Sequence, residues 1–335
     1  MDYSQKPFVE LMKAGKIADE TSIPKHIETV MSNVFIFDKT VYKLYKNDND
    51  FFNKAFRDLA PKKDRMNFTK SDFEWNHTLS PSIYAKVIGI NINNGEIKIT
   101  EPTNEADEVV IVMNKAKTED LLFEKLLKGK LSEDESFSLG KQLGETLKNA
   151  QKKPSEKQNF YNKFEARITD LQNWVSGVSE YVDETEFKEY CDFLEKFRHE
   201  NREWFENGLS DEMVTGGDLH SHNAIFSDGI LYLIDTYAPK EEWLIDHRLI
   251  PMYRLGTDIW ALTNNKSLFE SFLVGYEEGS GYTVNRKLDD LYVMYASSIM
   301  VVYLYILQRT DSEKNEAATR FHAFIREYFA KIKIK

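Results

Sequence analysis

The sequence predicts an α+β protein: a small antiparallel-sheet unit over residues 1–113, a short connection over 114–118, and a larger, mainly helical unit over 119–335. Three observations predict it. Apolar and β-branched runs separated by turn signals crowd the first third of the chain: NVFIFDKTVYKLYK (33–46), YAKVIGININ before Asn93-Asn94-Gly95, and EVVIVMN (108–114). After residue 118 apolar positions recur at helical spacing instead. One stretch, GGDLHSHNAIFSDGILYLIDT (216–236), interrupts the helices with a strand-like pattern. A chain of 335 residues is long enough for two such units.

The elements follow in order. Phe8, Leu11, Met12 and Ile17 mark one face of a short N-terminal helix in a segment too polar for a signal peptide. Residues 33–46 read as two strands about a turn at Asp38-Lys39. TKSDFEWNHTL (69–79) reads as a helix stopped by Pro81. YAKVIGININ and EIKIT form a hairpin about Asn94-Gly95. EVVIVMN is apolar enough to be a central strand. Thr118 is a candidate N-cap for TEDLLFEKLLKGK, and Ser132 with Glu135 makes a capping-box pattern for the next helix. QKKPSEKQ is a polar connection, and 159–207 is charged with helical periodicity. LYVMYASSIMVVYLYIL (291–307) falls short of the roughly 20 residues of a membrane span and holds Ser297 and Ser298 at its middle. It reads as a buried helix. Trp174, Tyr181, Tyr190 and Trp204 read as packing residues.

Net charge is −11, from 55 acidic against 44 basic residues, which argues against a nucleic-acid-binding surface. The acid surplus is compatible with a cationic or metal-bound substrate. The single cysteine, Cys191, can form no intrachain disulfide, and a reduced cytoplasmic protein is expected.

The chemistry concentrates in 216–236. Phosphoryl transfer needs a carboxylate beside the attacking hydroxyl and Mg2+ held by oxygen ligands. Asp218 and Asn223 are spaced Asp-x-x-x-x-Asn, as in a phosphoryl-transfer loop. A turn at Ser227-Asp228-Gly229 then returns the chain, so that Asp235 comes back near Asn223. Asp218 is thus the candidate base, and Asn223 and Asp235 the candidate metal ligands. Lys43, on a strand among apolar neighbours, is either a solvated edge residue or a phosphate-binding lysine. In the second case Asp72 or Glu74 would tether it. A competing pattern occupies the same stretch. Asp-Leu-His-Ser-His resembles the opening motif of polymerase-and-histidinol-phosphatase-type metal phosphoesterases, with His220 and His222 on one strand face as ligands. That motif needs later ligands, and His247 and His322 stand without partners at metal spacing.

The order of segments resembles the aminoglycoside phosphotransferase family of the protein-kinase-like fold, in particular its bacterial members of unassigned substrate. IETVMSNVFIFDKTVYKLYK, DFEWNHTLSPSIYAKVIGI, VVIVMNKAKTEDLL, GGDLHSHNAIFSDGILYLID and LIDHRLIPMYRLGTDIWAL follow the family's order from about residue 25 to 310. The resemblance implies a bilobal fold and ATP-dependent transfer of a γ-phosphoryl to a small-molecule hydroxyl, with GTP as the alternative donor. It implies Asp218 as base, Asn223 and Asp235 on Mg2+, and Lys43 on the nucleotide phosphates, with Asp72 preferred over Glu74. Thr29, Val30, Met31 and Ser32 match the turn that covers the phosphates. Met113 to Ala116, with Lys115 among them, match the adenine hinge. Asp258 matches the acid that supports the catalytic loop, with Asp246 a second candidate. His220 reads as structural, and His222 as facing the substrate. Glu241, Glu242 and Asp246 would suit a cationic acceptor. The family's His-Gly-Asp is Gly216-Gly217-Asp218 here, a departure that also fits an inactive nucleotide-binding module. Lys43, Asp218, Asn223 and Asp235 all stand, which such a module would not need.

Overall fold

The computed structural model describes residues 4–29, 31–48, 53, 58–150, 152–153, 155, 160–207, 212–214, 217–238, 245–308 and 314–333. They form two compact units, Met1–Thr118 and Glu119–Lys335.

In the first unit β1 (Lys25–Glu28), β2 (Ser32–Ile36), β3 (Thr40–Tyr45), β4 (Tyr84–Asn93), β5 (Glu96–Thr100) and β6 (Glu108–Asn114) make one antiparallel sheet, ordered β1-β2-β3-β6-β4-β5. The central place expected for β6 follows from its composition: Glu108 through Val112 are buried. Helix α1 (Lys6–Lys13) covers one face, burying Phe8 and Met12 in one apolar cluster with Phe35, Tyr42, Leu44 and Ile97 of the sheet. Each such side chain contributes about 1.5–3 kcal/mol. The alternate residues of β3, Lys43 and Tyr45, point to the opposite face. There Tyr45 meets Phe68 of α2 (Lys62–Leu79) edge-on, with ring centroids 4.8 Å apart.

Two elements differ from expectation. α2 starts at Lys62 rather than at residue 69, because its buried face is mixed. Arg65, Asp72 and Asn76 are buried beside Met66 and Phe68, so no apolar period marks the first turns. Arg65 pairs with Glu108 of β6, both buried, and its guanidinium also donates to Leu59 O (2.7 Å) and Ala60 O (2.9 Å). Strand β1 is an exposed polar edge, KHIE, without the alternation that marks a half-buried strand.

The second unit contains α3 (Leu122–Leu127), α4 (Glu133–Ala150), α5 (Phe160–Ser176), α6 (Glu184–Glu200), α7 (Arg202–Asn207), α8 (Ile250–Thr263), α9 (Lys266–Ser280), α10 (Asp289–Gln308) and α11 (Lys314–Ile332). Two strand pairs join them. β7 (Glu212–Val214) pairs with β10 (Ile245–His247), and β8 (Ala224–Ser227) with β9 (Ile230–Leu233). α3 opens at Leu122, not at Thr118. Leu121 is held extended by a bridge to Ile225, so Thr118–Asp120 closes only one 3-10 turn. The capping box forms as expected: Ser132 Oγ accepts from Glu135 N at 3.2 Å, and Glu135 Oε2 accepts from Ser132 N at 2.9 Å. Of the four aromatic residues read as packing, Tyr190 is buried and Trp204 lies edge-on to Phe205, while Trp174 and Tyr181 stay partly exposed. Among the described residues one helical stretch, Arg286–Gln308, is long and apolar enough to cross a membrane, and 72% of its most apolar part is buried within the chain. α4 and α9 touch backbone to backbone through Gly140, Gly144, Gly275 and Gly279.

A titratable cluster ties α6, α10 and α11 together. His322 Nδ1 meets the Tyr305 hydroxyl at 2.9 Å, and its Nε2 lies 3.5 Å from Glu186 Oε2. Glu186 also accepts from Arg326 (2.8 and 2.7 Å). Burial and the Arg326 charge lower the histidine's pKa. Burial raises that of Glu186, but the Arg326 and Tyr190 hydrogen bonds outweigh it and hold the carboxyl below its usual range. Both shifts act in one direction. Below about pH 6.5 the unfolded chain takes up the imidazole proton more readily than the fold does, and below about pH 4.5 the same holds for the carboxyl. Stability is therefore expected to fall on acidification from pH 7.5 to 5.5, and His322→Gln to flatten that fall. Parallel Tm-against-pH curves for the two proteins would exclude His322 as its source.

Candidate active site

The loop from Gly217 to Asn223 and the β8–β9 hairpin bring three of the expected residues together. The hairpin turn uses Asp228 (φ 51°) and Gly229 (φ 77°), both left-handed, as a two-residue turn between twisted strands requires. Ser221–Asn223 forms one 3-10 turn, with Asn223 N donating to His220 O at 2.9 Å. The returning strand is pinned to it. Ile234 N donates to Asn223 O (2.9 Å), and Gly217 and Tyr237 exchange a pair of backbone hydrogen bonds (3.2 and 3.1 Å). The amide of Asn223 then reaches both sides. Its Nδ2 donates to Asp218 O (2.8 Å), Asp218 Oδ2 (3.3 Å) and Asp235 O (3.3 Å). Asp218 (φ 64°) and Asp235 (φ 53°) both hold left-handed backbone, which aspartate tolerates better than most residues. Such strain persists where surrounding hydrogen bonds over-determine it, as they do here.

Asp218 is one-third exposed at its side chain, and His220, fully buried beneath it, places Nε2 3.3 Å from Asp218 Oδ1. Burial alone would raise the Asp218 pKa. The His220 and Arg254 charges and the Asn223 amide outweigh it and bring the pKa down to about 2. Asp258 of α8 supports the loop from below: its Oδ2 accepts the Ser221 N–H at 2.7 Å, and burial raises its own pKa. His222 is half-buried and stacks on Phe123, ring centroids 3.6 Å apart. It is thus a packing residue rather than one facing outward. Among the described residues no three histidine, cysteine, aspartate or glutamate side chains gather as a metal cluster, and none of these residues completes an Asp-x-His-x-His centre.

In the first unit Lys43 is buried, and its Nζ lies 3.9 Å from Asp72 Oδ2, which also accepts from the Tyr45 hydroxyl at 2.6 Å. Glu74 is exposed on the other side of α2. His26 and His77 have partners that the sequence did not reveal: Asn33 Oδ1 at 2.9 Å and Tyr84 O at 2.7 Å. The turn at Thr29 closes on itself. Thr29 Oγ1 accepts from Ser32 N (2.9 Å) and meets Ser32 Oγ (3.0 Å), and Ser32 is buried rather than turned outward. Met113 pairs with Val41 and Tyr84 at the end of β6. The next two backbone donors are engaged, Asn114 N by Ile83 O (2.8 Å) and Lys115 N by Lys39 O (2.9 Å). Val30, Gly216, Glu241 and Glu242 lie outside the described residues, as does the side chain of Asp246.

Two neighbours of Asp218 escaped the sequence reading. Arg254 was legible in principle, as a lone cation on an apolar helix four residues before Asp258. Tyr303 had no such mark, being one tyrosine among several in α10.

No protein-family model and no curated protein matches the chain. Among solved structures it is similar to an ADP-bound aminoglycoside phosphotransferase (14% identity, 96% of this chain and 97% of that one, TM-score 0.45). It is also similar to a glucosamine kinase in complex with glucosamine, ADP and inorganic phosphate (10%, 94% and 83%, 0.49). A third is a choline/ethanolamine kinase family protein from Mesorhizobium loti (10%, 95% and 89%, 0.48). These are likenesses of chain trace.

Proposed function

We propose that the protein is a phosphotransferase that moves the γ-phosphoryl of ATP, or of GTP, to a hydroxyl of a small molecule. The observation that carries this reading is the Asn223 amide, which donates to Asp218 and to the Asp235 carbonyl at once and so gathers the Asp218 carboxylate and the backbone of Asp235 around one asparagine. A carboxylate to orient the acceptor hydroxyl and a separate carboxylate–amide pair for a hard cation are what the transfer requires. Oxygen donors suit Mg2+, and Asn223 fits that role because its nitrogen holds the loop and its oxygen is left to accept. Asp235, exposed at the end of the hairpin, is the other ligand. The cation would neutralise phosphate charge. Lys43, fixed by Asp72, would bind the phosphates, and Asp218 would hold the hydroxyl and take its proton. The backbone from Met113 through Lys115 would meet the base, and Ser32 would stiffen the turn above the phosphates from beneath.

Thermal unfolding with nucleotide and Mg2+ tests this reading. Ligand at about 100 times its Kd stabilises by about 2.7 kcal/mol, which is a shift of several degrees. Stabilisation is expected to need both components and to disappear in Asp235→Ala. Equal nucleotide-dependent shifts in wild type and Asp235→Ala would defeat the metal assignment. A shift with Mn2+ or Zn2+ alone, indifferent to nucleotide, would defeat the phosphotransferase.

A further inference from the structure

Two polar groups beside Asp218 make no hydrogen bond among the described residues. Arg254 stands on α8 one turn before Asp258, so both side chains leave the helix on the face that supports the 217–223 loop. Its guanidinium is half-buried, with Nε enclosed and unbonded, and forms no ion pair or hydrogen bond among the described residues. Its charge nevertheless acts on Asp218, Asp258 and Tyr303. Tyr303, on α10, approaches the loop from another side. Its ring lies 5.1 Å from that of His220 and 6.1 Å from that of His222. It is half-buried, its hydroxyl makes no hydrogen bond among the described residues, and burial with the charges of Asp218 and Asp235 raises its pKa, so it stays a donor.

A half-buried guanidinium with no partner among the described residues is costly. Asp218 does not relieve it, since that carboxylate takes its contacts from His220 and Asn223. Asp258 makes no ion pair with it either: its Oδ2 accepts from Ser221, and its Oδ1 is buried without a hydrogen bond among the described residues. What is left is a forked cationic donor and a phenolic donor beside the proposed base, both without an acceptor among the described residues. Guanidinium recognises planar and tetrahedral oxyanions through paired N–H groups.

We propose that Arg254 and Tyr303 form a subsite for an oxyanion, phosphoryl or carboxyl, next to Asp218. As a refinement that rests on the phosphotransferase reading, this oxyanion is carried either by the acceptor, which is then a hydroxylated anion rather than a polycation, or by the phosphoryl group in transit.

Inorganic phosphate is the direct probe. Calorimetric titration at low ionic strength compares wild type with Arg254→Gln, Arg254→Lys and Tyr303→Phe, each first checked for a wild-type near-ultraviolet circular dichroism spectrum. Wild type is expected to bind phosphate, Arg254→Gln to bind at least about tenfold more weakly, and Tyr303→Phe several-fold more weakly. Arg254→Lys should fall between, since it keeps the charge and loses the fork. No binding by wild type, or equal affinity in wild type and Arg254→Gln, overturns the subsite and leaves Arg254 as a counter-charge for buried Asp258. Titration of the same wild-type sample with ATP and Mg2+ separates the two readings. Absence of nucleotide binding together with Arg254-dependent phosphate binding sinks the phosphotransferase and keeps the oxyanion site. The source of the anion follows from turnover of glycerol against glycerate and of ribose against ribose 5-phosphate. A loss in Arg254→Gln that falls on KM for the anionic member assigns the subsite to the acceptor. A loss in ATP hydrolysis to water assigns it to the transferred phosphoryl.

Discussion

Asp218→Asn is expected to lower ADP release by on the order of 10²–10⁴-fold and to leave nucleotide-dependent thermal stabilisation in place. Asparagine is the informative replacement because residue 218 sits at φ 64°, a left-handed conformation that asparagine adopts nearly as readily as aspartate and alanine does not. The loop frame also depends on the carbonyl of residue 218 rather than on its carboxylate alone, through the 2.8 Å bond from Asn223. The variant should therefore fold with the loop intact and lose only the carboxylate charge that the phosphotransferase reading turns toward the acceptor. The direction of the Asp218 pKa gives this charge its meaning. Held down to about 2 against the cost of burial, the carboxylate is ionised throughout the neutral range and is a weak base. A weak base suits a loose phosphoryl-transfer transition state, in which the hydroxyl needs orienting more than early deprotonation. Retention of more than about a tenth of wild-type turnover by a folded Asp218→Asn protein would remove Asp218 from the chemistry.

The parts of this site that the sequence revealed are those carried by spacing and turn chemistry. Asp-x-x-x-x-Asn and an Asp-Gly turn are local signals, and the loop and hairpin that follow from them bring Asp235 to Asn223. The choice between Asp72 and Glu74 was less legible from the residues, since both stand in one helix. Burial separates them, because Asp72 faces β3 and Glu74 faces outward. The reading of His222 failed for a related reason. Sequence offers no view of Phe123 beneath it, and stacking rather than exposure fixes that ring. Polar residues in buried places blurred other boundaries as well. Arg65 and Asp72 hid the first turns of α2, and the pairing of Leu121 with Ile225 displaced the start of α3. Tyr303 was invisible as a site residue because a helix distant in sequence brings it to the loop, and Arg254 carried only the mark of a lone cation on an apolar helix, which does not say what it approaches.

The contact between α4 and α9 makes the second large effect. A Cβ at Gly275 would stand 2.0 Å from Phe137 O and 3.0 Å from Lys141 N, and one at Gly279 would stand 2.0 Å from Lys141 O. These are backbone atoms of a helix, which cannot swing aside as a side chain would. Gly275→Ala gains up to about 1 kcal/mol of helix propensity, but it must push α9 away from α4. Overpacking of this kind costs about 1–3 kcal/mol and more where backbone must move, so a net loss of about 2 kcal/mol and a Tm lower by several degrees are expected. Val274→Ala, one residue earlier and 52% exposed, should stay within about 0.5 kcal/mol of wild type. The displacement should also reach the site. Gln142 of α4 clasps the β8–β9 hairpin, donating to Gly229 O at 2.8 Å and accepting from Leu231 N at 3.0 Å. That hairpin delivers Asp235. Moving α4 by the width of a methyl group therefore loosens the residue that the phosphotransferase reading places on the metal, and Gly275→Ala should lose nucleotide-dependent stabilisation along with Tm. A variant with lowered Tm and an undiminished shift on adding nucleotide and Mg2+ would show that the helix contact and the site are independent.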